Sequence, residues 1–377
     1  MLLFLDHSLL TSLDANSSPF SPTVIAIELA AEAARQGHHI LCREVRTFDA
    51  LLNLDTAFSK RTVMLLNRAR AKSTFRQELV EKVVWFARMT DSVTQPSIEL
   101  NLRGQTEILL PPSLIAAKGT LLNKTKFIPE NDNDGYFYEA LTYQLIAADR
   151  QAKEFFSGVS LKYDLAQRGG QTTSNVYANT KAAKDNFCLA VADSDQTYPG
   201  GSMGGTAKAL LAADSAPNTK EWNARSLVLT VRAIENTFPK NVLVNTARAL
   251  DDFLCQCAQN IVAIHAAKPH WIYLPLKKGV KCFEVKNRAN AEQVFLADAT
   301  GFKHCPNTTS TPCTNREDCS TYVVPSLGTT LLSKVCSQKP IQIELSPELD
   351  SHLSPLLKNL YLERISAFFG DEPVLGA

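Results

Sequence analysis

Two aspartates one residue apart, Asp193 and Asp195, close the apolar run Phe187-Cys188-Leu189-Ala190-Val191-Ala192. Carboxylates this near each other repel unless a cation or a proton lies between them. Ligand sets made of oxygen alone suit Mg²⁺ or Mn²⁺, so the chemistry such a pair offers is divalent-metal binding. An isolated Asp-x-Asp also serves simply to open a solvated turn. A second unit changes the balance. Lys126-Phe127-Ile128-Pro129-Glu130 is another short apolar stretch ending in an acid, and Asn131-Asp132-Asn133-Asp134 follows it.

Both acids need elements to hold them. Short continuous apolar runs bounded by turn residues read as buried strands, which predicts strands at 187–192 and 126–128. Side chains at i and i+2 of a strand share a face. Asp193 and Asp195 are therefore expected to point together from the carboxyl end, the edge where open α/β sheets take ligands. Asp134 suits the N-cap of a helix through 136–146, with a supporting place beside the metal as the alternative. The glycine-rich loop at 200–205 fails as a Walker motif, because Thr206-Ala207-Lys208 follows it. Its glycines are expected to allow close backbone approach beside the acids. Further strands are expected at 155–161, 226–231 and 271–274. Helices are expected at 172–183, at 206–213, and once or twice within 241–267. This alternation argues for a mostly parallel sheet covered on both faces, an α/β fold.

The order strand–acid–helix, then strand–Asp-x-Asp–glycine loop, resembles the TOPRIM pattern. Between the two units lies a glycine turn, Arg168-Gly169-Gly170-Gln171-Thr172-Thr173. The segment Val231-Arg232-Ala233-Ile234-Glu235-Asn236-Thr237-Phe238-Pro239 is similar to the R-x-I-E-N-x-aromatic segment of TOPRIM nucleases in the overcoming-lysogenisation-defect (OLD) family and its bacterial defence relatives. The resemblance covers residues 121–300. It implies a TOPRIM-like sheet and a Mg²⁺- or Mn²⁺-dependent nuclease whose metal ligands are Glu130, Asp193, Asp195 and Glu235. For Glu235, an acid favoured at a helix start is the other reading. Lys277 and Lys278 follow the expected strand at 271–274, where related nucleases look similar. One of them would contact a phosphate or the developing charge; two surface lysines are the plainer reading. The relatives imply a role in anti-phage defence and an ABC-type ATPase partner. The rival is a non-catalytic subunit that uses the fold to bind an ATPase or nucleic acid. Mutually repelling acids argue against it, since binding alone does not need them. DNA and RNA present the same phosphodiester to such a site, and a homo-oligomer stays open.

The 377 residues suffice for two or three domains. Residues 1–120 read as a separate N-terminal α/β domain of unknown role, with a strand at 2–5 and a helix capped by Ser21. A strand is expected after His38 and His39, which read as surface or core histidines. The sequence breaks at Pro111-Pro112, and 118–124 reads as a linker or edge. Net charge is +1, so nucleic-acid binding would rely on local patches and bound metal. Lys60, Arg61, Arg68, Arg70, Lys72 and Arg76 form an acid-free stretch that reads as a phosphate-contacting stripe or as a solvated helix face. The N-terminus lacks a basic n-region and no run of 18 apolar residues occurs, so neither a signal peptide nor a membrane span is expected. Nine cysteines suggest reduced thiols and a cytoplasmic setting. Cys305, Cys313, Cys319 and Cys336, with His304, fall in an insertion at 301–340. Zn²⁺ binding and free thiols both fit, because the paired C-x-x-C spacing is missing. Residues 341–377 carry an amphipathic helix expected to dock on the chain's own core.

Overall fold

Leu2-Leu3-Phe4-Leu5 is apolar on both faces, and it becomes the inner strand of a sheet covered on both sides. The computed structural model describes residues 1–377 except 16–17, 44, 149–152, 155, 157–158, 167–171, 216–220, 268–271, 286–287, 301–320, 338–353 and 372–377. The first sheet holds β1 (Leu2–Leu5), β2 (Ile40–Cys42), β3 (Trp85–Met89), β4 (Ser97–Leu100) and β5 (Thr106–Leu110) in the order β2-β1-β3-β5-β4. All its pairings are parallel except the β4–β5 hairpin. Ser21 caps the helix Pro22–Arg35 as expected, accepting from the Val24 N–H at 3.2 Å. His39 is fully buried, and its imidazole stands edge-on to Phe187.

The second sheet contains β6 (Thr125–Ile128), β8 (Tyr163–Leu165), β9 (Cys188–Ala192) and β10 (Ala224–Val228), all parallel, in the order β10-β9-β6-β8. Strand β7 (Val159–Leu161) lies outside it. The strand expected at 155–161 is present at Val159–Leu161, and it pairs with β13 (Phe369–Asp371) near the C-terminus. Lys162 N–H donates to the Phe368 carbonyl, while Ala166 N–H donates to Phe127 and draws β8 onto β6. Of the strand expected at 271–274, the described residues 272–274 form a helical turn and a bend instead. The remaining strands, β11 (Val280–Lys281) and β12 (Tyr322–Val324), make a short antiparallel pair.

Period-two alternation sorts the second sheet's faces. Ile128, Cys188, Ala190 and Ala192 pack with Tyr177 and Leu210, from the helices Thr173–Ala183 and Gly205–Ser215. On the other side, the Phe127 ring meets Tyr138, from the helix Asp132–Ala148, and Phe368, from the helix Ser354–Phe368. The chain leaves β6 toward β8 and leaves β9 toward β10, so these neighbours diverge at their carboxyl ends. Such a divergence opens a crevice in α/β sheets.

One apolar interior runs through both sheets, and the helix Ser354–Phe368 joins them. Glu363 accepts from the Trp85 indole N–H of β3 at 2.9 Å and is forked by Arg225 of β10 at 3.1 and 3.2 Å. Ser366 accepts from the Val84 N–H. Docking of this helix on the core agrees with expectation. Residues 118–124 contain a short helical turn, Gly119–Leu122, whose two leucines are buried.

The basic stretch is largely committed within the fold. Arg61 pairs with Glu32, Arg70 with Asp49, and both Lys72 and Arg76 with Asp371. The helix Lys60–Ala71 ends at Lys72 and a new one begins, so Arg76 is turned into the interior. A continuous phosphate-contacting stripe is not formed. Among the described residues, no helix is long and apolar enough to cross a membrane.

Candidate active site

β6 ends at Ile128 and β9 at Ala192, and the acids follow at once. Asn131 caps the helix Asp132–Ala148: its Oδ1 accepts from the Asp134 N–H at 3.1 Å, and Asp134 Oδ2 accepts from the Asn131 N–H at 3.1 Å. This reciprocal pair is a capping box. It corrects the assignment of Asp134 as N-cap. Asp134 stands three residues further in, and its carboxylate is turned into the crevice between the two sheet ends, 3% exposed.

The Asp-x-Asp geometry also differs from expectation. The strand has already ended when the chain reaches Asp193, so the i, i+2 rule no longer applies. Asp193 is buried, whereas Asp195 is exposed and adopts a left-handed backbone at φ 55°. Asp is among the few residues that tolerate this region. Hydrogen bonds hold it there: Asp195 N–H donates to Arg232, Gly204 N–H donates to Ser194, and Ser194 Oγ donates to Val231. A Cβ on Gly204 would fall 2.4 Å from Asp195 Oδ2 and 2.8 Å from its Cβ. The glycine loop thus has the close-approach role expected of it. Gly204→Ala is expected to push the Asp195 carboxylate aside and to weaken Mn²⁺ binding at these acids by about 10- to 100-fold, with little change in melting temperature. A calorimetric Mn²⁺ titration beside a thermal melt checks this.

The segment after β10 completes the crevice. Ile234–Thr237 forms one tight helical turn with Glu235 1% exposed. Arg232 N–H donates to Ile272, and Asn236 Nδ2 donates to the Leu274 carbonyl at 3.0 Å. These bonds bring up the loop that carries Lys277, whose Nζ lies 3.1 Å from Glu235 Oε1. Beyond that ion pair, neither Glu235 oxygen has a hydrogen-bond partner among the described residues, and neither does Glu130 Oε1.

The electrostatics follow from this crowding. Burial pushes the Glu130 carboxyl up to about 7, and the charges of Asp134 and Asp195 add to the rise. Burial likewise lifts Asp134 to about 6, with Lys277 opposing and Glu235 adding. Asp193 is driven well above the usual carboxylate range, by burial first and then by Glu130 and Asp134. Burial pulls the Lys277 ammonium down, but Glu235 and Asp193 outweigh it and hold the proton on.

No family model matches the chain, and no curated protein or solved structure does either. The site is therefore read from its own geometry.

Glu130, Asp193, Glu235 and Lys277, all expected site residues, come together, and Asp195 faces Glu130 from the exposed side. Asp134 joins them. Its spacing of four from Glu130 was a usable signal, hidden by the cap reading. Lys278 is exposed. Among the described residues, no three His, Cys, Asp or Glu side chains stand ready-made around one ion. The donor set is all oxygen and crowded, and it contains buried carboxylate oxygens without partners, the ligand type that Mg²⁺ and Mn²⁺ take.

Cys305, Cys313, Cys319 and His304 lie outside the described residues. Cys336 is described, in the helix Leu331–Ser337. It is a buried thiol donating to the Asn133 carbonyl at 3.3 Å, and burial pushes it up to about 12.

Proposed function

We propose that the chain is a TOPRIM-type nuclease that hydrolyses phosphodiester bonds of DNA or RNA with Mg²⁺ or Mn²⁺. By its resemblance to the OLD family, it would be a bacterial anti-phage effector that works with an ABC-type ATPase. One observation carries the chemical part: half-buried Glu130 and buried Asp134, Asp193 and Glu235 converge with Lys277 at the diverging carboxyl ends of β6 and β9. A binding surface alone has no use for carboxyls crowded closely enough to repel one another.

Glu130, Asp134, Asp193 and Glu235 would hold the metal, with Asp195 at the open side. When bound, a divalent cation polarises the scissile phosphate and acidifies an attacking water. The chain's own part is to give up protons and to aim charge. Burial pushes Glu130 up to about 7 and Asp134 up to about 6 in the metal-free protein, so below neutral pH both carry protons that metal binding would displace. Lys277, fixed against Glu235, presents an ammonium to phosphate oxygens as negative charge builds. With a net charge of only +1, the nucleic acid would be drawn to this local charge and to the metal.

The test is incubation with supercoiled plasmid, single-stranded DNA and total RNA, each with Mg²⁺, Mn²⁺ or EDTA, alone and with an ATPase partner. Cleavage of at least one substrate that EDTA stops is the expected result. Intact substrates in every condition would favour the rival, a non-catalytic subunit that binds an ATPase or nucleic acid.

A further inference from the structure

Arg364, in the helix Ser354–Phe368, is 0% exposed. None of its guanidinium nitrogens makes a well-aligned hydrogen bond among the described residues, although the Tyr163 hydroxyl, which donates to Glu139, lies beside it and favours its charge. A buried cation so thinly paired is costly, so its other surroundings must compensate. They are aromatic. The guanidinium carbon stands 4.7 Å from the Phe127 ring centre, 5.2 Å from Phe368, 5.6 Å from Tyr163 and 6.0 Å from Tyr138. Ring faces attract a desolvated cation.

Two of these rings belong to the elements that carry the acids. Phe127 lies in β6, three residues before Glu130. Tyr138 lies four residues after Asp134, on the same side of the helix, and it is under the fields of Asp193, Asp134, Glu130 and Arg364 alike. We infer that Arg364 is a positioning residue for the candidate site: its stack on Phe127 and Tyr138 clamps the end of β6 to the first turns of the helix Asp132–Ala148, and so sets Glu130 against Asp134. This rests on the reading of those acids as a cation site. A planar guanidinium can lie against several rings at once, which a lysine ammonium does less well. Ser366 on the same helix does a different job, since it bonds to Val84, just before β3 in the first sheet.

That division gives the control. Arg364→Met, Arg364→Lys and Ser366→Ala are compared by amide hydrogen exchange of residues 127–138 in the metal-free protein and by calorimetric Mn²⁺ titration. Ser366→Ala is expected to lower the melting temperature while leaving exchange at 127–138 and Mn²⁺ affinity as in the wild type. Arg364→Met should speed exchange at 127–138 above the rest of the chain and weaken Mn²⁺ binding about tenfold, as loss of groups that orient metal ligands does. Arg364→Lys should fall between. Wild-type exchange at 127–138 together with wild-type Mn²⁺ affinity in folded Arg364→Met would overturn the inference, and so would acceleration spread evenly over the chain. If Arg364→Met does not fold, Arg364→Lys decides by the same two readings. A wild-type protein that binds no Mn²⁺ would defeat the cation-site reading, while the exchange comparison still tests the clamp.

Discussion

Asp193→Ala and Glu130→Ala are each expected to abolish metal-dependent phosphodiester cleavage while leaving the chain folded. Both residues lie just past the last residue of a strand, Ala192 in β9 and Ile128 in β6. Their side chains are not part of the apolar interior that holds the sheet together, so truncation leaves little cavity. What is lost is a ligand. A bound divalent cation contributes several kcal/mol of transition-state stabilisation. At about 1.4 kcal/mol per tenfold in rate, losing about 4 kcal/mol is a drop of about a thousandfold. The comparison belongs in the partner-bound or cellular assay, where an ATPase that gates activity is present. Full function of both variants there would make the chain a scaffold.

The metal-free protein is expected to become less stable as pH rises from about 5 to 8. Glu130 at about 7 and Asp134 at about 6 hold protons more tightly folded than unfolded. The stabilisation they contribute is complete below the unfolded carboxyl range, near pH 4, and is lost as pH rises through 6 and 7. The acids titrate as one coupled group, so the fall belongs to the cluster and not to any one of them. Glu32, held at about 2 mainly by its bond to Arg35, changes well below this window. At about 1.4 kcal/mol per pKa unit, one such carboxyl accounts for on the order of 3 kcal/mol, roughly 5 °C in melting temperature. Asp193→Asn removes one member of the cluster. It should therefore raise the melting temperature at pH 8 and change it little at pH 5. Melts at the two pH values check both statements, and a flat wild-type profile would show that the carboxyls do not share a site.

The parts of this site legible in the sequence are those written by short-range rules. The runs before Glu130 and Asp193 are apolar on both faces and short, so β6 and β9 could be placed within a residue or two. Alternation with helical patterns gave the parallel α/β sheet. The missed parts depend on distant partners. Tyr163–Leu165 looks no more strand-like than 159–161. Only the C-terminal residues Phe369–Asp371, which take β7 as their partner, decide which of the two enters the sheet. β3 and β5 went unread because Arg88 and Glu107 interrupt their apolar runs, and these two charges neutralise each other across the sheet at 2.7 Å. Asp caps helices often, so the cap reading suits Asp134 in the sequence; in the structure Asn131, three residues earlier, is the cap, and Asp134 is its reciprocal partner, buried at the crevice. Arg364 gave no signal at all. A lone arginine in an amphipathic helix reads as surface until the second sheet, and the rings it carries, are packed around it.

Calorimetric titration of the metal-free protein with Mn²⁺ tests the central claim most directly, because it needs neither substrate nor partner. The wild type is expected to bind one or two ions and to release protons in doing so, more at pH 6 than at pH 8, as the Glu130 and Asp134 carboxyls give theirs up. Asp193→Ala should show no saturable binding. Equal Mn²⁺ binding by the wild type and Asp193→Ala, or none by either, would contradict the assignment of these acids to a catalytic metal.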